Sequence, residues 1–161
     1  MKEEEKNTPK YHAYRMAFDM IKCALERDCP LQAIAVEESI LTDRLSSTLN
    51  VGKAHAQPKD TLGRVLTEWH PKKPSASRNA NAELFDEEME LLFPKLSAWW
   101  RMRNELLHGI AKSVQGEGPS GSVDDFMADA RSAAKKGYAL VRKVDAWTKK
   151  QIKAARKRAQ D

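Results

Sequence analysis

One short stretch of the chain combines side chains that suit work on a charged phosphate. Arg103 is followed directly by Asn104, and His108 lies five residues after the arginine. A guanidinium donates parallel hydrogen bonds to phosphate oxygens. An imidazole exchanges protons near neutral pH, because its ordinary pKa is about 6.5. Together these residue types could stabilise charge on a phosphate and move a proton beside it.

The helix predicted for this stretch separates the arginine from the histidine. At 100° per residue, Trp99, Arg103 and Leu106 share a face, so the guanidinium lies inside an apolar stripe. His108 lies about 140° around the helix, on the polar side together with Arg101. A guanidinium on an apolar stripe needs a partner, because an unpaired buried charge costs several kcal/mol.

A second predicted helix, at about 31–49, offers that partner. Its apolar face is formed by Leu31, Ile34, Leu41, Leu45 and Leu49. Glu38 lies near the centre of this face, where an unpaired carboxylate would be costly. We therefore predict an ion pair between Glu38 and Arg103. Such a pair more often holds the register of two helices than takes part in catalysis.

The run Arg103-Asn104-Glu105-Leu106-Leu107-His108 resembles the RX4–6H signature of the HEPN superfamily. A polar residue directly after the arginine is typical of that family, and the motif's place late in an all-helical chain also fits. Arg101 satisfies the same pattern, because six residues separate it from His108. We favour Arg103 because Asn104 follows it, and Arg101 stays the competitor because it shares a face with His108.

The resemblance implies an all-α, up-and-down helical bundle with a long C-terminal helix. It also implies metal-independent endoribonuclease activity, although other family members act only as binding domains. His108 would be the general base or acid, Arg103 would hold the phosphate, Asn104 would assist, and Glu38 would orient the arginine. Attack by the 2′-hydroxyl of RNA leaves a 2′,3′-cyclic phosphate and requires no cofactor and no metal.

The resemblance further implies a homodimer. One chain supplies one Arg/His set, whereas in-line displacement needs a base and an acid on opposite sides of the phosphate. Family members assemble such a site from two copies, so His108 and its copy are expected near the two-fold axis of a shared cleft. The implied setting is a cytoplasmic bacterial toxin–antitoxin or phage-defence system, in which a partner protein restrains the activity.

Charge is distributed unevenly along the 161 residues, whose net charge is +5 and whose isoelectric point is about 9.2. Residues 101–161 carry 14 basic and 7 acidic groups, whereas residues 1–100 carry 14 and 16. This surplus favours a polyanionic partner. The residues that we expect to contact RNA are Arg101, Lys112, Lys149, Lys150 and Arg156.

Composition and missing motifs exclude several classes of protein. Hydrophobic residues make up 41% and charged residues 32%, which is typical of one folded domain over 1–161, with 1–7 flexible and 148–161 a basic extension. No apolar run reaches the length of a membrane span, and no secretory leader is expected. Two cysteines are too few for a disulfide scaffold or a four-ligand zinc site. Nucleotide hydrolysis and serine or metallo-hydrolysis are disfavoured, because no Gly-rich phosphate loop or GxSxG is present.

The remaining elements are also predicted to be helical. A first helix is expected over about 8–28, a short one from a cap at Asp60 or Thr61 to about residue 69, and an acidic one over 80–93. Pro94 is expected to open the helix of the motif, at about 95–112. A flexible loop is expected over 113–122.

A last helix is expected from a cap at Ser122 or Asp124 to about residue 158. Its heptad seam consists of Phe126, Ala130, Ala133, Gly137, Leu140, Val144, Trp147 and Gln151. The pattern leaves open whether the seam packs inside the chain or against a second copy. In a second hypothesis, the seam makes a dimer, the Glu38–Arg103 pair is structural, and the basic tail binds nucleic acid. A third hypothesis is a regulatory, antitoxin-like helical protein.

Overall fold

The computed structural model describes residues 9–49, 61–68, 86–114 and 122–158. These residues form five helices, which are α1 (Pro9–Glu26), α2 (Pro30–Leu49), α3 (Leu62–Glu68), α4 (Glu87–Val114) and α5 (Val123–Arg158). No strand occurs within the described ranges, so the predicted all-α class is confirmed. The predictions for residues 1–7 and for 115–121 of the flexible loop lie outside the described residues, whereas Ser113 and Val114 belong to α4.

A tight turn joins α1 to α2. The amide of Cys29 donates to the carbonyl of Ala24 at 2.8 Å, after the last turn of α1. Asp28 has a φ of 55°, a left-handed conformation that short polar side chains tolerate. Its carboxylate accepts two hydrogen bonds of 2.6 Å from Arg131, and this contact lowers the pKa of Asp28. The next helix starts at Pro30, because proline suits the first helical turn.

The short helix α3 begins at a side-chain cap and lies against an indole. The amide of Arg64 donates to Thr61 Oγ1 at 3.3 Å, so Thr61 provides the cap. A Cβ on Gly63 would come within 2.6 Å of Cζ2 of Trp100. The close approach of helix and indole therefore requires glycine at this position.

The helix that carries the motif, α4, is continuous over 28 residues. Asp86 caps it, since its Oδ1 accepts a hydrogen bond of 2.9 Å from the amide of Met89. Pro94 lies inside α4, so the prediction that it opens a new helix was wrong. The ring removes the hydrogen bond to the carbonyl of Glu90. Both residues are exposed, so water can bind that carbonyl and the helix continues.

The last helix, α5, begins with a reciprocal cap. The amide of Asp125 donates to Ser122 Oγ at 3.1 Å, and the amide of Ser122 donates to Asp125 Oδ2 at 3.2 Å. This arrangement is a capping box with aspartate in place of the usual glutamate. Of the two predicted caps, Ser122 is the one used, and Asp124 lies within the helix.

The heptad seam of α5 is buried inside the chain. Its buried members are Ala130, Ala133, Gly137, Leu140, Val144 and Trp147, whereas Phe126 and Gln151 at its ends are partly exposed. The chain's own side chains therefore cover the seam. This burial answers the question that the pattern left open, and it removes the seam as the surface for a second copy.

The described residues group into two compact units, each with an apolar core. The described residues of Met1–Ile40 and Arg103–Tyr138 form unit 1, and those of Leu41–Met102 and Ala139–Asp161 form unit 2. Buried side chains in unit 1 include Ile21, Ala33, Ile34, Ala130 and Ala133, and those in unit 2 include Leu41, Leu62, Leu96, Trp99, Val141 and Trp147. Each large buried side chain contributes about 1.5–3 kcal/mol. Within the described ranges, no helix has both the length and the apolar character that a bilayer crossing needs.

Candidate functional site

Three of the predicted site residues meet within unit 1. Arg103 Nη2 of α4 donates to Glu38 Oε2 of α2, which forms an ion pair. Arg103 Nη1 donates to Asn104 Oδ1 at 2.8 Å. The predicted pairing of Glu38 with Arg103 is therefore confirmed. We call these three side chains the Arg103 cluster.

The Arg103 cluster is partly open to solvent. The side chains of Arg103 and Glu38 retain 23% and 20% of their exposure, so water reaches part of the pair. Arg103 Nε is buried and has no hydrogen-bond partner among the described residues. Of the five guanidinium N–H groups, two donate within the cluster and one is buried. One N–H on each terminal nitrogen therefore remains for an incoming acceptor such as a phosphate oxygen.

His108 lies on the same helix as Arg103 but outside the cluster. Its side chain is exposed, and it makes no hydrogen bond or ion pair with any described residue. Five residues of helix place its Cα about 7.5 Å along α4 and about 140° around it from Arg103. One copy of the chain thus presents the imidazole to solvent without bringing it to the guanidinium.

The most deeply buried carboxylate of α2 is Glu37, and the prediction had centred the buried face on Glu38 instead. Glu37 has no exposed surface, and both of its oxygens lack a hydrogen-bond partner within the described part of the chain. Burial raises the pKa of Glu37 to about 8. The carboxyl is therefore mostly protonated at neutral pH, and it is a functional candidate that the sequence argument missed.

The position of the buried face explains this error. The buried residues of α2 are Pro30, Ala33, Ile34, Glu37, Ile40, Leu41, Leu45 and Thr48. Leu31 is only partly buried, so the face is rotated toward Ala33 and Ile40. Counting Ala33, Ile40 and Thr48 as core positions would have placed Glu37 at the centre and Glu38 at the edge.

The residues predicted to contact RNA are exposed where their side chains are described. Arg101 belongs to unit 2 and donates from Nε to the carbonyl of Ser97 at 3.4 Å. Lys149 pairs with Asp145 at 2.7 Å. Their neighbours Lys150 and Arg156 are also exposed, and Lys150 Nζ donates to Glu88 at 2.8 Å. The side chain of Lys112 lies outside the described residues.

Two further features bear on what the site can hold. The described residues contain no group of three or more His, Cys, Asp or Glu that could hold a metal ion. One cavity of about 200 Å³ lies in unit 1 and is lined by Leu25, Asp28, Cys29, Pro30, Arg131 and Lys135. It contains none of the predicted site residues.

Comparison with known proteins returns no relative, since no family model, no curated protein and no solved structure matches the chain.

Proposed function

We propose that this chain is a metal-independent endoribonuclease of the HEPN type. The observation that carries the proposal is the Arg103 cluster, a partly exposed guanidinium that an upstream glutamate and the following asparagine hold in place. An exposed histidine follows on the same helix at the spacing of the RX4–6H motif. Arg103 rather than Arg101 is the motif arginine in this proposal, because Arg101 lies outside the cluster.

The reaction assigns one task to each side chain. The 2′-oxygen of RNA attacks the adjacent phosphorus, and the bond from phosphorus to the 5′-oxygen breaks. His108 of one copy takes the proton of the 2′-hydroxyl, and a second histidine gives a proton to the leaving 5′-oxygen. Arg103 donates its remaining N–H groups to the non-bridging oxygens, where charge accumulates. Glu38 and Asn104 position Arg103.

A second copy of the chain completes this site. Since His108 stands apart from the Arg103 cluster in one chain, a homodimer must bring the two histidines to a shared cleft on opposite sides of the phosphate. Arg101, Lys112, Lys149, Lys150 and Arg156 are proposed to contact the RNA. In a cytoplasmic toxin–antitoxin or defence setting, a partner protein would restrain the activity.

The test is cleavage of a labelled RNA in excess EDTA by the wild type and by His108→Ala. We expect cleavage that survives chelation, leaves 2′,3′-cyclic phosphate ends and falls by about 10²–10⁴-fold in the variant. His12→Ala is the matched control, because His12 is another exposed histidine, on α1. It should cleave as the wild type does.

Comparing Arg103→Gln with Arg101→Gln identifies the motif arginine. The first should lose most of the activity, and the second should lose only affinity for RNA. Equal cleavage by the wild type and His108→Ala would contradict the proposed role of His108. A larger loss in Arg101→Gln would assign the motif to Arg101.

The second candidate is a non-catalytic interaction module. Two observations favour it. His108 stands apart from Arg103 within one chain, and both terminal nitrogens of Arg103 already bond to the protein. On this hypothesis the Glu38–Arg103 pair holds α2 against α4. A folded dimer that binds RNA and leaves it uncut in the same assay would favour this candidate.

A further inference from the structure

The C-terminal half of α5 exposes only two kinds of side chain. Between Ala139 and Arg158, in unit 2, the exposed positions are Arg142, Lys143, Lys149, Lys150, Lys153, Arg156, Lys157 and Arg158, together with Ala139, Ala146 and Ala154. The one acidic residue in this segment, Asp145, is buried. We call these exposed positions the α5 cationic face. Their opposite face, which includes Leu140, Val144 and Trp147, is packed in the core.

Four of these eight cations make no ion pair within the described part of the chain. Lys149 pairs with Asp145 and Lys150 with Glu88. In contrast, Arg142, Lys143, Lys153 and Lys157 make no ion pair with a described residue. A helix C-terminus favours cations within its last turn only. Arg142 and Lys143 lie about four turns before that end, so the helix dipole does not explain them.

We propose that the α5 cationic face binds double-stranded nucleic acid through its phosphates. The charges extend over about 24 Å of helix from Arg142 to Arg158. A duplex carries one negative charge per about 1.7 Å of its axis, so a length of 24 Å offers more phosphates than the face has cations. This surface lies outside the Arg103 cluster, and its binding does not depend on the proposed cleavage.

The composition of the face favours a duplex over other polyanions. Proteins that hold single strands use aromatic side chains on which bases stack, and the face exposes none. A helix that lies on a membrane inserts large apolar side chains. In this segment Leu140, Val141, Val144 and Trp147 are buried, and Ile152 is only partly exposed. The short side chains of Ala139, Ala146 and Ala154 let the helix backbone come close to phosphates. Contacts to phosphates carry no sequence information, so we expect this binding to be independent of sequence.

The test compares two variants that lose the same amount of charge. The first replaces Arg142, Lys143, Lys153 and Lys157 by Gln, which preserves helix propensity. The second replaces Arg15, Lys22, Arg27 and Lys95, which are exposed cations outside α5, by Gln. Probes are labelled duplexes of about 20 base pairs in 2′-O-methyl RNA and in DNA, and the matching single strand. The 2′-O-methyl group removes the nucleophile, so binding is measured without cleavage.

We expect the α5 variant to bind duplex more weakly than the wild type by about tenfold or more. The slope of log affinity against log salt, measured between about 0.05 and 0.2 M, should decrease by about 3–4 units. The control variant should stay within about threefold of the wild type, and single strands should bind more weakly than duplexes. Both duplexes offer the same phosphate chemistry. Comparing their affinities shows whether the α5 cationic face prefers A-form RNA or B-form DNA.

Three results would overturn the proposal. Equal loss in the two variants would mean that net charge alone attracts the duplex. Binding of the single strand at least as tight as that of the duplex would identify a different nucleic acid. Binding to vesicles of phosphatidylcholine and phosphatidylserine, without binding to duplex, would identify a membrane surface. The cleavage assay with His108→Ala tests the proposed nuclease separately, and neither of its results changes what these binding measurements mean.

Discussion

Two arginine–carboxylate clusters of this protein invite comparison, one in each unit. In unit 1, Arg103 of α4 pairs with Glu38 of α2, and their side chains are 23% and 20% exposed. In unit 2, Arg44 of α2 pairs with Asp145 of α5 at 2.5 Å, and their exposures are 11% and 12%. Asp145 Oδ1 accepts no hydrogen bond from a described residue, so its contact with Arg44 is an ion pair only. Asp145 also accepts from Lys149 at 2.7 Å.

The difference between the clusters separates a pair that only packing can use from one that a ligand could reach. The Arg44–Asp145 pair lies in the interior near a buried hydroxyl pair, in which Thr48 Oγ1 donates to Thr148 Oγ1 at 3.4 Å. A substrate cannot approach so buried a pair. The Arg103 cluster keeps N–H groups and solvent access, which a phosphate needs. Solvent exposure, rather than the presence of an ion pair, is therefore what makes the Arg103 cluster the candidate for phosphate binding.

The largest expected effect on stability is that of Asp145→Ala. It leaves the guanidinium of Arg44 in the interior without its carboxylate, which should cost about 3–5 kcal/mol of unfolding free energy. Glu38→Ala should cost about 1 kcal/mol or less, because Arg103 is more exposed and keeps Asn104. Urea denaturation of both variants at pH 7 measures the contrast.

A double variant controls for the loss of contacts in the Asp145→Ala experiment. Arg44→Met combined with Asp145→Leu removes both charges and should recover most of the stability, since apolar pairs replace buried ion pairs well. If Asp145→Ala and Glu38→Ala lose equal stability, the two clusters do not differ in the way that their burial suggests.

The next largest expected effect is a change in stability with pH of about 2–4 kcal/mol, which comes from Glu37. The folded state raises the pKa of Glu37 from 4.5 to about 8. The folded protein therefore keeps a proton that the unfolded chain loses, and stability falls as pH rises from about 4.5 to about 8. Glu37→Met removes this penalty, so its stability relative to the wild type should grow by about 2–4 kcal/mol over that range.

Unfolding by urea at a series of pH values tests the Glu37 prediction. Glu38→Gln serves as the control, because Glu38 is the next residue of α2 but is partly exposed and pairs with Arg103. It should follow the pH dependence of the wild type. A wild-type stability that stays constant from pH 4.5 to 8 would show that Glu37 is solvated or paired in solution.

The smallest expected effect on stability, below about 1 kcal/mol, accompanies a clear effect on cleavage. Glu38→Gln keeps a hydrogen-bond acceptor for Arg103 but removes the charge that orients it. If Glu38 positions a catalytic arginine, kcat should fall about tenfold, which is about 1.4 kcal/mol, while KM changes little. Unchanged kcat in a folded Glu38→Gln protein would make the pair structural only.

The sequence was sufficient for features that depend on local rules. Thr61 and Ser122 were each one of two predicted caps, and their hydroxyls accept from amides of the first turn. The α5 seam follows from spacing alone. The Glu38–Arg103 pair followed from the cost of leaving two charges unpaired on apolar faces. These features require no knowledge of distant packing.

Features that depend on packing were less accessible. Glu37 was missed because large aliphatic side chains alone were used to locate the face, although Ala33 and Thr48 are also buried. Pro94 was taken as a boundary because its effect depends on whether water reaches the carbonyl of Glu90. In the proposed function, the meeting of His108 with Arg103 depends on a second copy, which no periodicity within one chain describes.

The α5 cationic face has one more consequence, which concerns proteolysis. Trypsin-like proteases cleave after lysine and arginine, and every exposed position between Ala139 and Arg158 is one of these residues or alanine. Cleavage requires local unwinding of the helix, so it reports how often the last turns open. Because helix ends fray most readily, trimming should begin at the C-terminus and remove the outermost cations first. The charges that suit this helix for polyanions thus also make its end a sensor of helix fraying.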